Sequence, residues 1–187
     1  MSSLTKRTIK DTFVTLLENK PFSAITVKLI VEECGINRNS FYYYYHDIPD
    51  LIEEIVREES DRIIAEYSKV NTIEEALLAV MEFTSAHRKA ILHIYNSVNR
   101  DIFERYLWKV CDYIVSAFGV SALNGREIDK LDREIIHRYY MCECFGSAIE
   151  WLNSRMQAEP REYIKRFCEL FAGVTEEIIQ RSLTDRK

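Results

Sequence analysis

The stretch TVKLIVEECGINRNSFYYYY, from Thr26 to Tyr45, is the most informative segment of the chain. Apolar residues recur at helical spacing as far as Cys34, Gly35 interrupts them, and a second helical segment follows. Thr26 is the expected N-cap of the first helix, and Gly35 supplies the positive backbone angle of a tight turn. The pattern predicts two short helices joined as a helix-turn-helix.

The second helix of this motif divides its side chains between two faces. Asn37 is its expected N-cap, and Phe41 and Tyr45, four residues apart, point into the core together. At about 100° per residue, Asn39 and Tyr43 lie nearly opposite Phe41. The outward face carries amide, hydroxyl, guanidinium and phenol groups and no acid, which suits the phosphates and base edges of DNA. The predicted DNA-binding residues are Thr26, Lys28, Asn37, Arg38, Asn39, Ser40, Tyr42, Tyr43, Tyr44 and His46.

These residues are assigned two kinds of contact, because phosphates position a protein on DNA and base edges carry the sequence information. We expect phosphate contacts from Thr26, Lys28, Arg38 and Tyr42, and base-edge contacts from Asn39, Ser40 and Tyr43. A second interpretation makes the Tyr-rich face the binding surface of a helical adaptor or co-regulator for another protein. Salt separates the two, since DNA binding falls steeply with added salt and a Tyr-based protein contact does not.

The segment ITVKLIVEECGINRNSFYYYYHDIPDLI resembles the N-terminal DNA-binding domain of the TetR family of bacterial transcriptional regulators. The resemblance covers roughly Ile9 to Val56 and includes Gly35-Ile36-Asn37 at the turn. The sequence departs from the family at Tyr44, where His is frequent, and at Ile48-Pro49, where Lys-Glu is common. That Lys usually contacts phosphate, so we expect another group to replace it. The candidates are His46, Lys28 and the amides near Asp47.

The resemblance implies a homodimer, operator DNA as the partner and an effector bound in the C-terminal domain. We therefore expect a sequence-specific repressor that binds an inverted-repeat operator and is released by a small molecule of unknown identity. The expected organisation is all-α with about nine helices. Residues 1–47 form the helix-turn-helix domain, and residues 48–187 form a helical regulatory and dimerisation domain that includes the connecting helix.

Composition independently favours a helical protein. Only five Gly and three Pro occur in 187 residues, so long segments lack helix breakers. Helical periodicity predicts the following helices in the C-terminal part: 73–86, 88–97, 100–118, 129–156 and 161–182. The Gly, Ser and Asn residues within 119–126 predict a loop there.

The net charge of −5 is unevenly distributed along the chain. Residues 1–48 carry +1 and residues 49–187 carry −6. The asymmetry has the sign that DNA binding requires, but it is small. A local positive footprint is expected from Lys6, Arg7, Lys10, Lys28 and Arg38.

Other classes of protein are not favoured. No run of about 18 apolar residues predicts a membrane span, and the polar N-terminus lacks the apolar core of a signal peptide, so we expect a cytoplasmic location with reduced cysteines. His137, Cys142 and Cys144 are close in sequence, but zinc sites usually pair ligands from two segments. Neither a metal nor a cofactor is expected. With no Gly-rich phosphate loop and no nucleophile-base arrangement, no enzymatic activity is expected.

Two sets of residues in the C-terminal part are candidates for assembly and regulation. Apolar stripes on the last two predicted helices suggest a dimer interface, with an intramolecular core as the alternative. The interface candidates are Ile135, Cys142, Gly146, Ile149, Phe167, Phe171, Val174 and Ile178. Aromatic residues with polar tips suggest an effector pocket, with ordinary core packing as the alternative. These candidates are Phe83, His87, Phe103, Tyr106, Trp108, Tyr113, Tyr139 and Trp151.

Overall fold

The computed structural model describes residues 2–67, 73–157 and 160–184. In these ranges the chain forms ten α-helices and one short 3-10 helix, Phe22–Ala24, with no β-strand, so the predicted all-α class is confirmed. The α-helices are α1 (Ser2–Asn19), α2 (Val27–Cys34), α3 (Arg38–Tyr44), α4 (Ile48–Tyr67), α5 (Ile73–Ala86), α6 (Arg88–Tyr95), α7 (Arg100–Leu123), α8 (Lys130–Asn153), α9 (Pro160–Leu170) and α10 (Val174–Thr184). No helix within the described ranges has the length and apolar character that crossing a membrane requires.

The chain packs as two compact units. Unit 1 consists of Met1–Arg62 and Thr84–Tyr106, and unit 2 consists of Ile63–Phe83 and Leu107–Lys187. Helices α4, α5 and α7 each contribute residues to both units. The division expected at residue 47, drawn where the motif ends, stays a prediction about the functional domains.

Unit 1 is built on a single apolar core. Ile9 and Phe13 of α1 are fully buried, as are Ile30 of α2, Phe41 of α3 and Leu51 of α4. Ile9 and Phe13 share a helix face because they are four residues apart, and that face covers the two helices of the motif. The core therefore sets the orientation of α3 relative to α1 and α4.

Helix α6 is attached to the end of α1 by a side-chain hydrogen bond. His93 Nδ1 lies 2.7 Å from the carbonyl oxygen of Leu17. The residue whose amide would normally bond that carbonyl within a helix is Pro21, which has no N–H. The His93 side chain thus supplies the donor that this carbonyl lacks within its own helix. The hydrogen bond holds α6 against α1.

The predicted loop at residues 119–126 is wrong over most of its length. Helix α7 continues to Leu123, because Gly119 costs a helix only about 1 kcal/mol relative to Ala and neighbouring packing overrides it. The chain turns at Asn124 and Gly125, whose φ angles are 47° and 77°. The helix therefore ends where the backbone adopts positive φ angles, and not where Gly and Ser first appear in the sequence.

Arg126 stabilises this turn in unit 2. Its guanidinium donates to the carbonyl oxygens of Leu123, at 2.9 Å, and Ala122, at 2.8 Å. It also forms a bidentate ion pair with Glu176 at 2.6 and 2.7 Å. The hydrogen bonds from Arg126 and Gln180 lower the pKa of Glu176 to about 2. Arg126 therefore closes α7 and holds α10 against its end.

The single helix predicted over residues 161–182 is divided into α9 and α10. The break lies at Gly173, whose φ is 83°. Only glycine adopts this conformation without steric cost, so the residue ends one helix and starts the next at a new angle. The pattern of apolar positions continues through the break, which is why periodicity alone does not reveal it.

Candidate nucleic-acid interface

The first helix of the motif begins and ends as its sequence predicts. Thr26 caps α2, since its Oγ1 accepts from the Leu29 N–H at 3.2 Å. Gly35 ends the helix with φ 66° and ψ 31°. The Ile36 N–H then donates to the Val31 carbonyl at 3.0 Å, which fixes the sharp turn toward α3.

The second helix begins with the expected cap. Asn37 Oδ1 accepts from the Ser40 N–H at 2.9 Å and from the Ser40 hydroxyl at 3.2 Å. Phe41 and Tyr45 are buried, as predicted, and their ring centroids are 5.7 Å apart. Burial raises the pKa of Tyr45, so its phenol stays neutral under the core. These contacts bury one face of α3 in the core and leave the opposite face exposed.

The free face of α3 carries the residues predicted to contact DNA. Arg38 and Asn39 are exposed, and Tyr42 and Tyr43 expose 53% and 79% of their surface. Tyr44 differs, because it is partly buried against the core and meets the Tyr43 ring edge-on at 4.9 Å. The partly buried ring of Tyr44 thus supports the ring of Tyr43, which itself faces solvent.

A concavity adjoins this face. It has a volume of ≈ 350 Å³ and is lined by Thr5 of α1 together with residues of α3 and its cap. The other lining residues are Asn37, Asn39, Ser40, Tyr43 and Tyr44. The sequence did not predict Thr5, because it lies outside the motif and reaches the site only through the packing of α1. All six residues present neutral polar atoms.

The expected positive footprint is smaller than the sequence suggests. Lys6 and Lys10 are engaged by α4: Lys6 Nζ lies 2.6 Å from Glu54, and Lys10 Nζ lies 3.3 Å from Glu54 and 2.5 Å from Glu58. Arg7 lies 3.5 Å from Asp11. The N-terminal lysines therefore join α1 to α4, which corrects their assignment to the footprint.

Arg7, Lys28 and Arg38 remain from that footprint, because the pair of Arg7 with Asp11 is as exposed as the pair of Lys28 with Glu32. Lys28 Nζ lies 3.7 Å from Glu32, one turn along α2, with both side chains exposed. An exposed pair of this kind is weak and is readily exchanged for another anion. Arg38 is exposed at the first position of α3.

Two of the backbone amides around the start of α4 are bonded to carboxylates. The His46 N–H donates to Asp50 Oδ2 at 3.0 Å, and the Asp50 N–H donates to Asp47 Oδ1 at 2.8 Å. Both donors are thus satisfied by carboxylates. These two amides are therefore occupied, whereas the exposed side chain of His46 keeps its predicted role.

The effector candidates are divided between the two units. Phe83 and Tyr113 share one cluster of unit 2 with Ile63, Val110 and Ile114. The remaining unit 2 candidates differ in burial: Trp108 and Tyr139 are exposed and Trp151 is buried. The unit 1 candidates are His87, Phe103 and Tyr106, and the last two belong to the core beneath the motif.

The dimer candidates include several apolar residues that one chain leaves exposed. On α8, Ile135, Cys142 and Gly146 are exposed, and so is Phe171, which follows α9. Ile149, Phe167, Val174 and Ile178 are partly buried. Tyr139 of α8 and Tyr163 of α9, on the same apolar stripes, are also exposed, and so is Leu131, which the sequence did not single out.

Aromatic rings form a ladder along α9. The rings of Tyr163 and Phe167 are nearly parallel, with centroids 6.5 Å apart. The ring centroids of Phe167 and Phe171 are 4.6 Å apart. Within the described ranges, no three His, Cys, Asp or Glu side chains are grouped so as to hold a metal ion. One face of α9 and the turn after it therefore carry a row of aromatic rings.

Family comparisons match both parts of the chain. The family of bacterial regulatory proteins named tetR matches residues 11–55, and the family described as a transcriptional regulator C-terminal region matches residues 71–173. The chain is 22% identical over 173 residues to the uncharacterized HTH-type transcriptional regulator YxbF of Bacillus subtilis (strain 168). That alignment covers 87% of this chain and 43% of YxbF, so the chain spans less than half the length of this relative.

Solved structures share the fold at low sequence identity. The dihydroxyacetone kinase operon activator DhaS superposes with a TM-score of 0.72 at 15% identity, over 92% of this chain and 96% of DhaS. The fatty acid degradation regulator FadR from Bacillus halodurans superposes with a TM-score of 0.55 at 15% identity, over 89% of this chain and 97% of FadR. These similarities concern the arrangement of helices alone.

Proposed function

This chain belongs to the TetR family of bacterial transcriptional regulators, and we propose that it binds an inverted-repeat operator as a homodimer and regulates transcription, as a repressor. The observation that carries the proposal is the outward face of α3, which exposes Arg38, Asn39, Tyr42 and Tyr43 without an acid. A rigid helix fixed by its buried face, with donors on the other, is the arrangement that reads a major groove.

The hydrogen bonds inside the motif decide which groups remain for DNA. Thr26 Oγ1 accepts from an amide, which leaves its own O–H to donate to a phosphate. Asn37 accepts through Oδ1, which leaves its NH₂ group as a donor. With Lys28, Arg38, Tyr42 and His46, these residues form the proposed phosphate contacts. Charged donors among them carry most of the affinity, and neutral donors fix the register.

Base readout is proposed chiefly for Asn39 and Tyr43. Asn39 is exposed and carries a donor and an acceptor, the combination that pairs with adenine. Tyr43 has the most exposed ring of α3, and Tyr44 supports it. Ser40 also faces the concavity, and because its hydroxyl donates to Asn37, it is left to accept from a base N–H.

The second copy of the chain is proposed to cover the exposed apolar residues of α8 and α9. Leu131, Ile135 and Tyr139 are spaced at four residues on α8, and Tyr163 and Phe171 belong to the ladder of α9. A two-fold interface buries such a stripe against its own copy. Two recognition helices separated by one DNA turn, about 34–36 Å, then read the two half-sites.

A small-molecule effector is proposed to bind in unit 2. Phe83 and Tyr113 support this, because they are partly buried around Ile63, Val110 and Ile114 and combine apolar surface with one phenol. A ligand that favours one arrangement of α4 and α7 would change DNA affinity, since residues of both helices also belong to unit 1.

The salt dependence of binding tests the proposal. The full-length protein is titrated into a fluorescent duplex at several salt concentrations, and the anisotropy is followed. DNA binding through phosphates should weaken linearly on a log-log scale as salt rises. No binding to any duplex at low salt, with the protein folded, contradicts the proposal and favours the protein-binding interpretation of the tyrosine face.

A further inference from the structure

Helices α7 and α8 bring two thiols together inside unit 2. Cys111 of α7 is buried with Val115 and Met141, and Cys144 of α8 packs against the same cluster. The two cysteines thus belong to one small cluster, and neither is in a disulfide. The residues proposed to contact DNA all belong to unit 1, so DNA recognition makes no use of this pair.

The two thiols differ in acidity and access. The hydrogen bond to Cys144, together with burial, raises the pKa of Cys111. The same hydrogen bond lowers the pKa of Cys144 and outweighs the opposing effects of its own burial and of Glu143. Cys144 is also partly exposed, whereas Cys111 is not. Cys144 thus has the features of an attacking thiolate, and Cys111 has those of a resolving thiol beside it.

We propose that Cys111 and Cys144 are a peroxide-reactive pair that closes to a reversible disulfide between α7 and α8. The Cys144 thiolate attacks hydrogen peroxide: an S–O bond forms, the O–O bond breaks and hydroxide leaves. The Cys111 sulfur then attacks the Cys144 sulfur of the sulfenic acid, and the S–O bond breaks. Two thiols and one hydrogen peroxide give one disulfide and two waters, so the sulfurs are oxidised and the peroxide is reduced.

Cys142 provides a matched control on the same helix. It is exposed, but at about 100° per residue it lies some 200° around α8 from Cys144 and so points away from Cys111. It belongs instead to the apolar stripe proposed for the second copy. Exposure alone would make Cys142 the first thiol to react, whereas a neighbouring thiol favours Cys144.

Peptide mapping tests the pair. The reduced full-length protein is treated with hydrogen peroxide, free thiols are alkylated, and non-reduced tryptic peptides are analysed by mass spectrometry. Cleavage after Lys109, Arg126, Arg138 and Arg155 leaves Cys111 in peptide 110–126 and both other cysteines in peptide 139–155. We expect the two peptides to be joined in the wild type and in Cys142→Ser, to separate on reduction with dithiothreitol, and to remain apart in Cys144→Ser.

A second measurement does not depend on the folding of Cys144→Ser. In Cys111→Ser, a sulfenic acid on Cys144 has no resolving partner, so dimedone should label Cys144 rather than Cys142, as fragmentation of peptide 139–155 reports. A crosslink that persists in Cys144→Ser, or peroxide-treated wild type in which Cys111 and Cys144 both remain free for alkylation after unfolding, overturns the proposal.

Discussion

Arg38 is the residue whose charge matters most to the proposed DNA contact. It is exposed at the start of α3, whereas Lys28 lies 3.7 Å from Glu32 and Lys6 and Lys10 are paired with α4. Arg38→Ala should weaken binding to all duplexes and reduce the slope of log affinity against log salt by about one. Anisotropy titrations measure the slope.

The control for Arg38 is Arg133→Ala, which removes an exposed arginine of α8 in unit 2. It should leave both affinity and slope unchanged. A slope equal to that of the wild type in Arg38→Ala removes this residue from the phosphate contacts, while a loss in both variants points to an effect of net charge.

Tyr43 should determine sequence preference rather than overall affinity. Its ring is 79% exposed and leans on Tyr44, so Tyr43→Ala removes a contact to the groove without disturbing the core. The ratio of affinities for the operator and an unrelated duplex should fall, because a base contact contributes about 1–3 kcal/mol of discrimination. Tyr43→Phe separates the hydroxyl from the ring. Equal losses on both duplexes in Tyr43→Ala would place the residue on the backbone instead.

The turn between α2 and α3 depends on the backbone conformation of Gly35. With φ at 66° and no atom near an added Cβ, Gly35→Ala introduces backbone strain without a clash. It should lower the free energy of unfolding by about 1–2 kcal/mol. Gly119→Ala, inside α7 and equally free of clashes, should raise it by about 1 kcal/mol. Chemical denaturation of both variants checks the opposite signs, and a neutral or stabilising Gly35→Ala contradicts this account of the turn.

The stability that the ion pairs between α1 and α4 contribute should depend on pH. Partial burial opposes ionisation of Glu54, but hydrogen bonds and charges from Lys6 and Lys10 outweigh it and lower its pKa. A carboxylate with a lowered folded-state pKa stabilises the fold above its ordinary value of 4.5, and this contribution is lost as the pH falls through the folded-state pKa. Glu54→Gln should therefore destabilise the protein at pH 7, and the gap to the wild type should narrow toward pH 3.

Denaturation at a series of pH values measures that gap. Glu59→Gln serves as the control on the same helix, because Glu59 pairs with Arg62 on the surface and its substitution should change stability little at any pH. A gap between wild type and Glu54→Gln that stays constant from pH 7 to pH 3 shows that the ion pairs to α1 do not contribute this stability.

Local elements could be predicted from the sequence, and distant contacts could not. The caps of α2 and α3 join residues three apart, Thr26 to Leu29 and Asn37 to Ser40, so residue type and spacing reveal them. The bond from His93 to Leu17 spans 76 positions, and no local pattern marks it. The pairing of Lys10 with Glu54 spans 44 positions, and no local pattern marks it either. This is why free positive charges were expected on α1 where the structure has ion pairs to α4.

Assembly of the whole molecule should depend on the apolar surface of α8 and α9. Phe171 is exposed and stacks on Phe167, so Phe171→Glu places a charge where the second copy is proposed to pack. The variant should be monomeric in light scattering coupled to size exclusion, while the wild type is dimeric. Val98→Glu, at a side chain of unit 1 that is 91% exposed, should leave the dimer intact. A monomeric wild type, or a dimeric Phe171→Glu, contradicts this interface.

Sequence-specific DNA binding is tested by selecting bound sequences from a random duplex library with the purified 187-residue protein. A dimer that presents two α3 helices should enrich an inverted repeat with half-sites about one DNA turn apart. Loss of that enrichment in Tyr43→Ala would connect it to the face described here. Failure of the folded wild-type protein to enrich any sequence at low salt would contradict sequence-specific DNA recognition by this chain.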